Sequence, residues 1–441
     1  MKRALFFKSC NHLLVGLLLL PCFVLIGCSN QEDPLESDTT IDYFENKTVF
    51  QKRSFDEALK IAKQSVGAFA LSETRANVPQ KRISLPDTKY IIKTSTRNVS
   101  ENDTLMYVFN FENNQGFTVI SANKATEPIL AQTEMGTYDE NIEVENPAFG
   151  MYMDIAEQYV LNTITPIDTT VSSLKEFKIV KDTIETMRMA PKIALRWGQT
   201  GCEATYTTNG YSGCSNTAMA QIMSYFNYPT NLSITYPNAI ISTLSLNWND
   251  IKMHNVSHSK QTCSATNDSH NVIGHLLRQL GHLNLSNYLV DGTSTYIFDV
   301  RNSFSSLGYT VSDIINYSGE NLYSILANNN LFYMRGDRIN GNGPYVGHAW
   351  VVDGFLQHKI TVSEWSRDFG SIMWELLTTY EPYYVGYYHM NWGWDGNCNG
   401  YFLADVFATN QAVEYDNANN NFNNTTNRNY NYNVQYFYVT K

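Results

Sequence analysis

The stretch Gly213-Cys214-Ser215-Asn216-Thr217-Ala218-Met219-Ala220-Gln221-Ile222-Met223-Ser224-Tyr225-Phe226 constrains the fold more than any other. Ala218, Met219, Ile222, Met223 and Phe226 recur at helical spacing, and Asn216 and Thr217 are cap-type residues. A helix that starts there puts the Cys214 sulfur at or just before its N-terminus. Unpaired N–H groups and the positive dipole end favour a thiolate at that place. A lone cysteine ahead of a helix more often simply packs there. The assignment of Cys214 as a nucleophile therefore rests on what the rest of the chain supplies.

The chain has 441 residues, room for two or three domains and a sizeable core. Its 43% hydrophobic and 17% charged content is that of a folded protein. A formal charge of −11 with no basic stripe speaks against nucleic acid as a partner. Residues 1–28 read as a targeting segment: Lys2 and Arg3 precede an apolar run from Leu13 to Ile26. The run is short for a plain membrane anchor, the alternative reading. It ends in Leu25-Ile26-Gly27-Cys28, which resembles the lipobox of bacterial lipoproteins and implies lipidation at Cys28 and membrane attachment. Cys10 and Cys22 then leave with the signal. With Cys214 set aside, Cys202, Cys263 and Cys398 can form at most one disulfide. No metal-ligand spacing occurs, and no cofactor is expected.

Residues 29–45 are polar and acidic, as in a tether. Residues 46–163 read as a small α+β module. Ala58, Leu59, Ile61, Ala62, Val66 and Phe69 predict an amphipathic helix from Phe55 to Leu71. Strands are expected at Tyr90–Ile92, Leu105–Phe111, Phe117–Ser121 and Pro128–Ala131, with a turn at Asn113–Gly116 and a second helix from Asn146 to Asn162. Residues 164–192 lack apolar periodicity and read as a linker. Arg188 and Lys192 are candidate cleavage sites in it, although a passive spacer fits the pattern equally well.

Residues 193–441 carry the chemistry. Gln199 lies fifteen residues before Cys214, where its side-chain N–H₂ can donate to a developing oxyanion. Helices are predicted at Val272–Leu285, Val300–Leu307 and Leu322–Asn328, and the chain turns β-rich from Leu331. His348 heads a strand in Gly347-His348-Ala349-Trp350-Val351-Val352-Asp353-Gly354, 134 residues after Cys214, within the separation of papain-type Cys and His pairs. Of nine histidines it alone has both that spacing and the flanking glycines. Asn391-Trp392-Gly393-Trp394-Asp395-Gly396 offers an Asn to fix the imidazole tautomer and a Trp to shield it. Which of Asn391 and Trp392 touches the ring stays open at this point.

The three motifs, in this order, closely resemble the streptopain family of bacterial cysteine peptidases, over roughly residues 45–441. The resemblance implies an α+β fold in which a papain-like domain, a helical part plus an antiparallel β part, follows an inhibitory prodomain. It implies Cys214 as nucleophile, His348 as base and acid, Gln199 as oxyanion donor, and Asn391 with Trp392 as supports of the histidine. The same reading assigns Gly213, Ser294 and Gly347 to substrate binding. The implied partners are protein or peptide substrates and the chain's own prodomain. Pairing with His348 is expected to populate the thiolate near neutral pH.

Two segments depart from the family pattern. Leu356–Tyr387 separates the His348 strand from the Asn391 motif and reads as an extra aromatic hairpin. Asp416–Asn433 is asparagine-rich where the family has a glycine-rich loop, and reads as a spacer or a mobile loop. Two other functions share these motifs: a silent surface adhesin on the same fold, and a Cys-dependent acyltransferase such as a transglutaminase.

Overall fold

The structure is a computed structural model that describes residues 52–69, 81–92, 104–139, 141–163, 175–254, 268–290, 292–340, 346–407 and 430–441. Cys28 and the segment around it lie outside these residues, as do 416–429 of the asparagine-rich stretch.

The N-terminal module opens with α1 (Phe55–Phe69), whose Ala58, Ala62 and Phe69 are buried. Four strands follow: β1 (Lys89–Ile92), β2 (Thr104–Asn110), β3 (Phe117–Ser121) and β4 (Ile129–Thr133). Asn113 and Asn114 take left-handed backbone conformations in the β2–β3 connection, which Asn adopts more readily than other side chains. Gly116 follows at φ 94°, where a Cβ would lie 2.4 Å from the Thr133 carbonyl oxygen. A short helix α2 (Ile142–Glu145) leads into α3 (Pro147–Asn162), capped by the Asn146 side chain accepting from Phe149 N. Pro147 at the first helical position loses no hydrogen bond there.

The linker is where sequence and structure part. Lys175–Met189 forms a fifteen-residue strand, β5. Its sequence alternates charged with apolar residues only loosely, so the pairing partner supplies what periodicity does not.

The C-terminal half begins with a 3-10 turn (Gly201–Ala204) and α4 (Cys214–Phe226). After it come the hairpin β6 (Asn231–Ser233) and β7 (Thr243–Ser245), α5 (Trp248–Met253) and α6 (Asp268–Leu283). A second hairpin, β8 (Asn287–Leu289) and β9 (Gly292–Ser294), precedes α7 (Ile297–Ser306), β10 (Thr310–Val311), β11 (Ile315–Asn316) and α8 (Tyr323–Ala327). The β part then comprises β12 (Leu331–Asn340), β13 (Val346–Asp368), β14 (Glu375–Thr379), β15 (Tyr383–Asn391), β16 (Gly400–Leu403) and β17 (Tyr430–Thr440). The end of the asparagine-rich stretch thus enters a strand. Part of the expected extra hairpin is the far end of the His348 strand itself: β13 runs 23 residues without a break.

One thirteen-stranded sheet runs through both halves in the order β1-β2-β3-β4-β16-β15-β13-β12-β17-β10, with β5 and β14 on β13 and β11 on β17. The join is β4 on β16, antiparallel, with Ala131 opposite Phe402, Gln132 opposite Tyr401 and Thr133 opposite Gly400. β5 lies along β13 from Phe355–Met189 to Asp368–Lys175. One apolar core spans the join: the Tyr152 ring packs on Phe402 at 4.8 Å and on Phe407 at 5.2 Å, and Phe69 on Tyr387 at 5.1 Å. Burying each such ring contributes about 1.5–3 kcal/mol. A second core lies between α4, α6 and α7 and the opposite face of β12, β13 and β17.

Candidate active site

Gly213 at φ 91° sits just ahead of α4. A Cβ there would be strained and would meet Thr293 at 3.0 Å. The glycine therefore lets the β8–β9 hairpin close on the residue before Cys214. Two hydrogen bonds bind the Gly198–Gln199 segment to the start of α4, and two more hold Asn216 in its first turn. Ser212 N donates to Gln199 O (2.8 Å) and Thr217 Oγ1 to Gly198 O (3.1 Å). Asn216 Nδ2 donates to Ser212 O (2.7 Å), and Asn284 Nδ2 to Asn216 Oδ1 (2.7 Å).

α4 packs against β13. Alternation along β13 places Trp350 and Val352 in one core and Ala349 and Val351 in the other. His348 is 5% exposed. The Cys214 thiol meets the main chain of Ala349, the residue after His348. His348 Nε2 lies 2.9 Å from the carbonyl oxygen of Trp392. A carbonyl only accepts, so in the neutral ring the proton sits on Nε2 and Nδ1 carries the lone pair. Trp394 covers the imidazole at 5.9 Å between centroids.

The imidazole is thus held by the main chain of Trp392. The Asn391 amide is engaged elsewhere. Its Nδ2 donates to Leu195 O (2.8 Å), and its Oδ1 accepts from Gln221 Nε2 and Gly393 N, both at 3.2 Å. Asn391 shapes the turn that aims the Trp392 carbonyl, and the Trp392 indole, fully buried, donates to Cys398 O (2.9 Å). Gln199 Nε2 is buried with no hydrogen-bond partner. Leaving an amide donor in that condition costs about 1–3 kcal/mol, a cost that a site aimed at a transient anion carries.

Of the residues assigned to substrate binding, Gly213 adjoins Cys214, and Gly347 pairs with Asp337 at the edge of the site. Ser294 is an exposed residue of β9, next to the Thr293 that meets Gly213.

The protonation states differ from the thiolate expected at neutral pH. Burial pushes the Cys214 thiol up, against the opposing pull of the Ala349 main chain and the Arg335 guanidinium. Burial also lowers His348 to about 4, with the Trp392 carbonyl opposing and Arg335 adding to the fall. In this structure the pair is thiol and neutral imidazole, because desolvation penalises both charges. Arg335 is a site residue that sequence reasoning missed. It reaches the site through the register that sets Arg335 opposite Ala349 on β13, and no local motif marks it.

The N-terminal module adds one charged contact. Glu134 Oε1 lies 3.4 Å from His389 Nε2, and His389 Nδ1 lies 2.6 Å from Asp353 Oδ1. Burial alone would lower His389, yet Asp353 and then Glu134 raise it to about 10. Asp353 Oδ2 also accepts from Ile193 N (2.8 Å), at the start of the C-terminal half. Among the described cysteines, Cys214 and Cys398 are free and Cys202 is disulfide-bonded, its partner lying outside the described residues.

Two family models match the chain. The Peptidase C10 family matches residues 197–402, and the Spi protease inhibitor family matches residues 47–160. Streptopain from Streptococcus pyogenes serotype M28 is 26% identical over 341 residues, covering 68% of this chain and 74% of the relative. Streptopain from serotype M1 matches to the same extent. A solved fragment of Prevotella intermedia prointerpain A aligns with 82% of this chain and 98% of its own, at a TM-score of 0.46 and 17% identity. The chain is a cysteine endopeptidase: it carries a domain of the peptidase C10, or streptopain, family behind a Spi-type protease inhibitor domain.

Proposed function

We propose that the chain is the latent, lipid-anchored form of an extracytoplasmic endopeptidase in which Cys214 and His348 cleave peptide bonds of protein substrates. The observation that carries the assignment is the meeting of the Cys214 thiol with the β13 main chain at Ala349, together with a buried and unpartnered N–H₂ on Gln199, whose main chain accepts from Ser212 N. His348 Nδ1 takes the thiol proton, and the sulfur attacks the scissile carbonyl carbon. Gln199 Nε2 and the Cys214 main-chain N–H hold the oxyanion. The imidazolium passes its proton to the leaving amine, and water then releases the acyl group by the reverse sequence. Asn391 and Trp392 keep the ring in the tautomer this needs. Gly213, Ser294 and Gly347 border the cleft.

The inhibitor domain holds the enzyme latent through the β4–β16 join, the shared aromatic core and the Glu134–His389 contact. The lipobox-like Leu25–Cys28 supports attachment to a bacterial envelope membrane, and a disulfide at Cys202 fits an oxidising compartment. Because the anchor precedes the inhibitor domain, a cut between Ile164 and Arg196 would both unblock Cys214 and release the catalytic half, once the inhibitor domain dissociates.

Two measurements test this. Cys214→Ala and His348→Ala are each expected to abolish hydrolysis of a denatured protein followed by mass spectrometry. Amine incorporation in preference to hydrolysis would make the chain an acyltransferase instead. On cell fractionation, wild type should yield a shorter soluble form and Cys214→Ala a membrane-bound full-length form. An active wild-type enzyme that stays uncut and membrane-bound would refute release by processing.

A further inference from the structure

Glu203 is a buried acid that the mechanism does not use. It sits in the 3-10 turn Gly201–Ala204 at 2% exposure, and its Oε2 has no hydrogen-bond partner. The neighbouring Cys202 is disulfide-bonded. The Glu203 carboxyl interacts with the main chain of Gly198, the residue before Gln199. Gly198 is also pressed against Asp395: a Cβ there would lie 2.0 Å from Asp395 Oδ1 and 3.0 Å from Oδ2. Asp395 takes a left-handed conformation (φ 58°) in the turn that carries the Trp392 carbonyl and Trp394. Two acidic side chains thus bracket one peptide unit, between the proposed oxyanion donor on one side and the histidine's supports on the other.

We propose that Glu203, together with Asp395, is a positioning residue that holds the Gly198–Gln199 segment in line for oxyanion binding. The proposal rests on Gln199 acting as oxyanion donor. A neutral acid can share this space with the Asp395 carboxylate. A second negative charge buried beside it would repel the first and drive the segment apart. Burial, with Asp395 adding to it, pushes Glu203 up to about 8 against the opposing pull of its own and the Gly198 main chain. The other titratable groups near this turn act less directly. α6 packs on it through Gly274, whose Cβ position lies 3.1 Å from Cys202 O. On α6, His275 Nδ1 is 2.6 Å from Tyr236 Oη with its ring stacked on Tyr206 at 3.9 Å, and His270 packs on His254 at 4.9 Å. Arg196 adjoins Gly396 at the far end of the Asp395 turn.

The expected consequence is a loss of activity on the alkaline side that belongs to Glu203. As pH rises through about 8 the carboxyl ionises, and kcat should fall while KM changes little, because an oxyanion contact exists only in the transition state. The test is the pH profile of kcat and KM for peptide hydrolysis by enzyme processed from the full-length chain, in wild type, E203Q, E203A and D395N. Gln mimics the protonated acid, so E203Q should keep its neutral-pH kcat within about threefold and lose the alkaline limb. E203A should lower kcat about tenfold or more at every pH with KM within about twofold. D395N removes the neighbouring charge and should move the limb to lower pH. A wild-type profile flat from pH 7 to 9, or the same limb in E203Q, would overturn the proposal. In either case the loss of all turnover in Cys214→Ala shows that the peptidase assignment itself still stands.

Discussion

At the scale of single residues, the site is held in an uncharged state. Burial raises Cys214 and lowers His348 to about 4, so an imidazolium forms only below that pH and a thiolate only above the ordinary thiol range. Between these limits the thiol is a poor nucleophile. Alkylation by iodoacetamide at pH 7 should therefore be slower in the uncut chain than in the processed enzyme. Equal rates in the two forms would mean that the inhibitor domain does not govern the thiol. Glu134 offers a second test. Burial pushes its carboxyl up, but His389, Arg196 and Lys81 together hold it below the usual carboxylate range. A depressed value in the docked state means that its contribution to docking is complete above pH 5. It fades only as pH falls through the docked value. Glu134→Ala should thus speed activation of the intact chain at pH 7 about tenfold or more. The wild-type activation rate should be insensitive to this group between pH 5 and 8. The sequence offers Cys214, His348 and Gln199 as candidates, because each sits in a short motif whose chemistry is local. The choice between Asn391 and Trp392 was not, since it depends on where a main-chain carbonyl points.

At the scale of elements, β5 changes the account of the linker. Arg188 and Lys192 were plausible cleavage sites by sequence. In the structure Arg188 pairs with Glu185 at 2.7 Å and donates to Ala68 O on the C-terminal turn of α1. Lys192 Nζ donates to Leu326 O at 2.6 Å. Both cations act as struts between elements, and the strand between them and Lys175 is hydrogen-bonded along β13. A protease needs an extended, unpaired segment, so limited proteolysis of the Cys214→Ala chain should leave bonds within 175–189 intact. Ile184→Pro puts a proline inside the strand, opposite Lys359, and should open it to cutting at its lysines. Rapid cutting of the unsubstituted strand would contradict the pairing. The sequence showed β2, β3, α1 and α4 well, since each has a clear period and bounding turn residues. It did not show β5 or the length of β13, because strand pairing between segments some 180 residues apart leaves no local pattern.

At the scale of the molecule, the inhibitor domain and the catalytic half share one sheet and one apolar core. The order of parts along the chain was readable from its motifs. Their fusion was not, because β4 meets β16 through three residue pairs that no motif marks. Such a join lends itself to latency: the added strands brace the β16 edge, which leads back through Gly400 and Asn399 to the turn holding Trp392. Asn399 Oδ1 accepts from Trp392 N at 3.0 Å, and Asn399 O from Glu134 N at 2.8 Å. The inhibitor domain is therefore hydrogen-bonded to the segment that orients His348. The most direct test of a latent Cys214 peptidase is hydrolysis of a denatured protein by wild-type and Cys214→Ala chains, each assayed uncut and after removal of the inhibitor domain. Turnover is expected from the processed wild type alone; equal turnover by the uncut chain, or any turnover that survives Cys214→Ala, would contradict it.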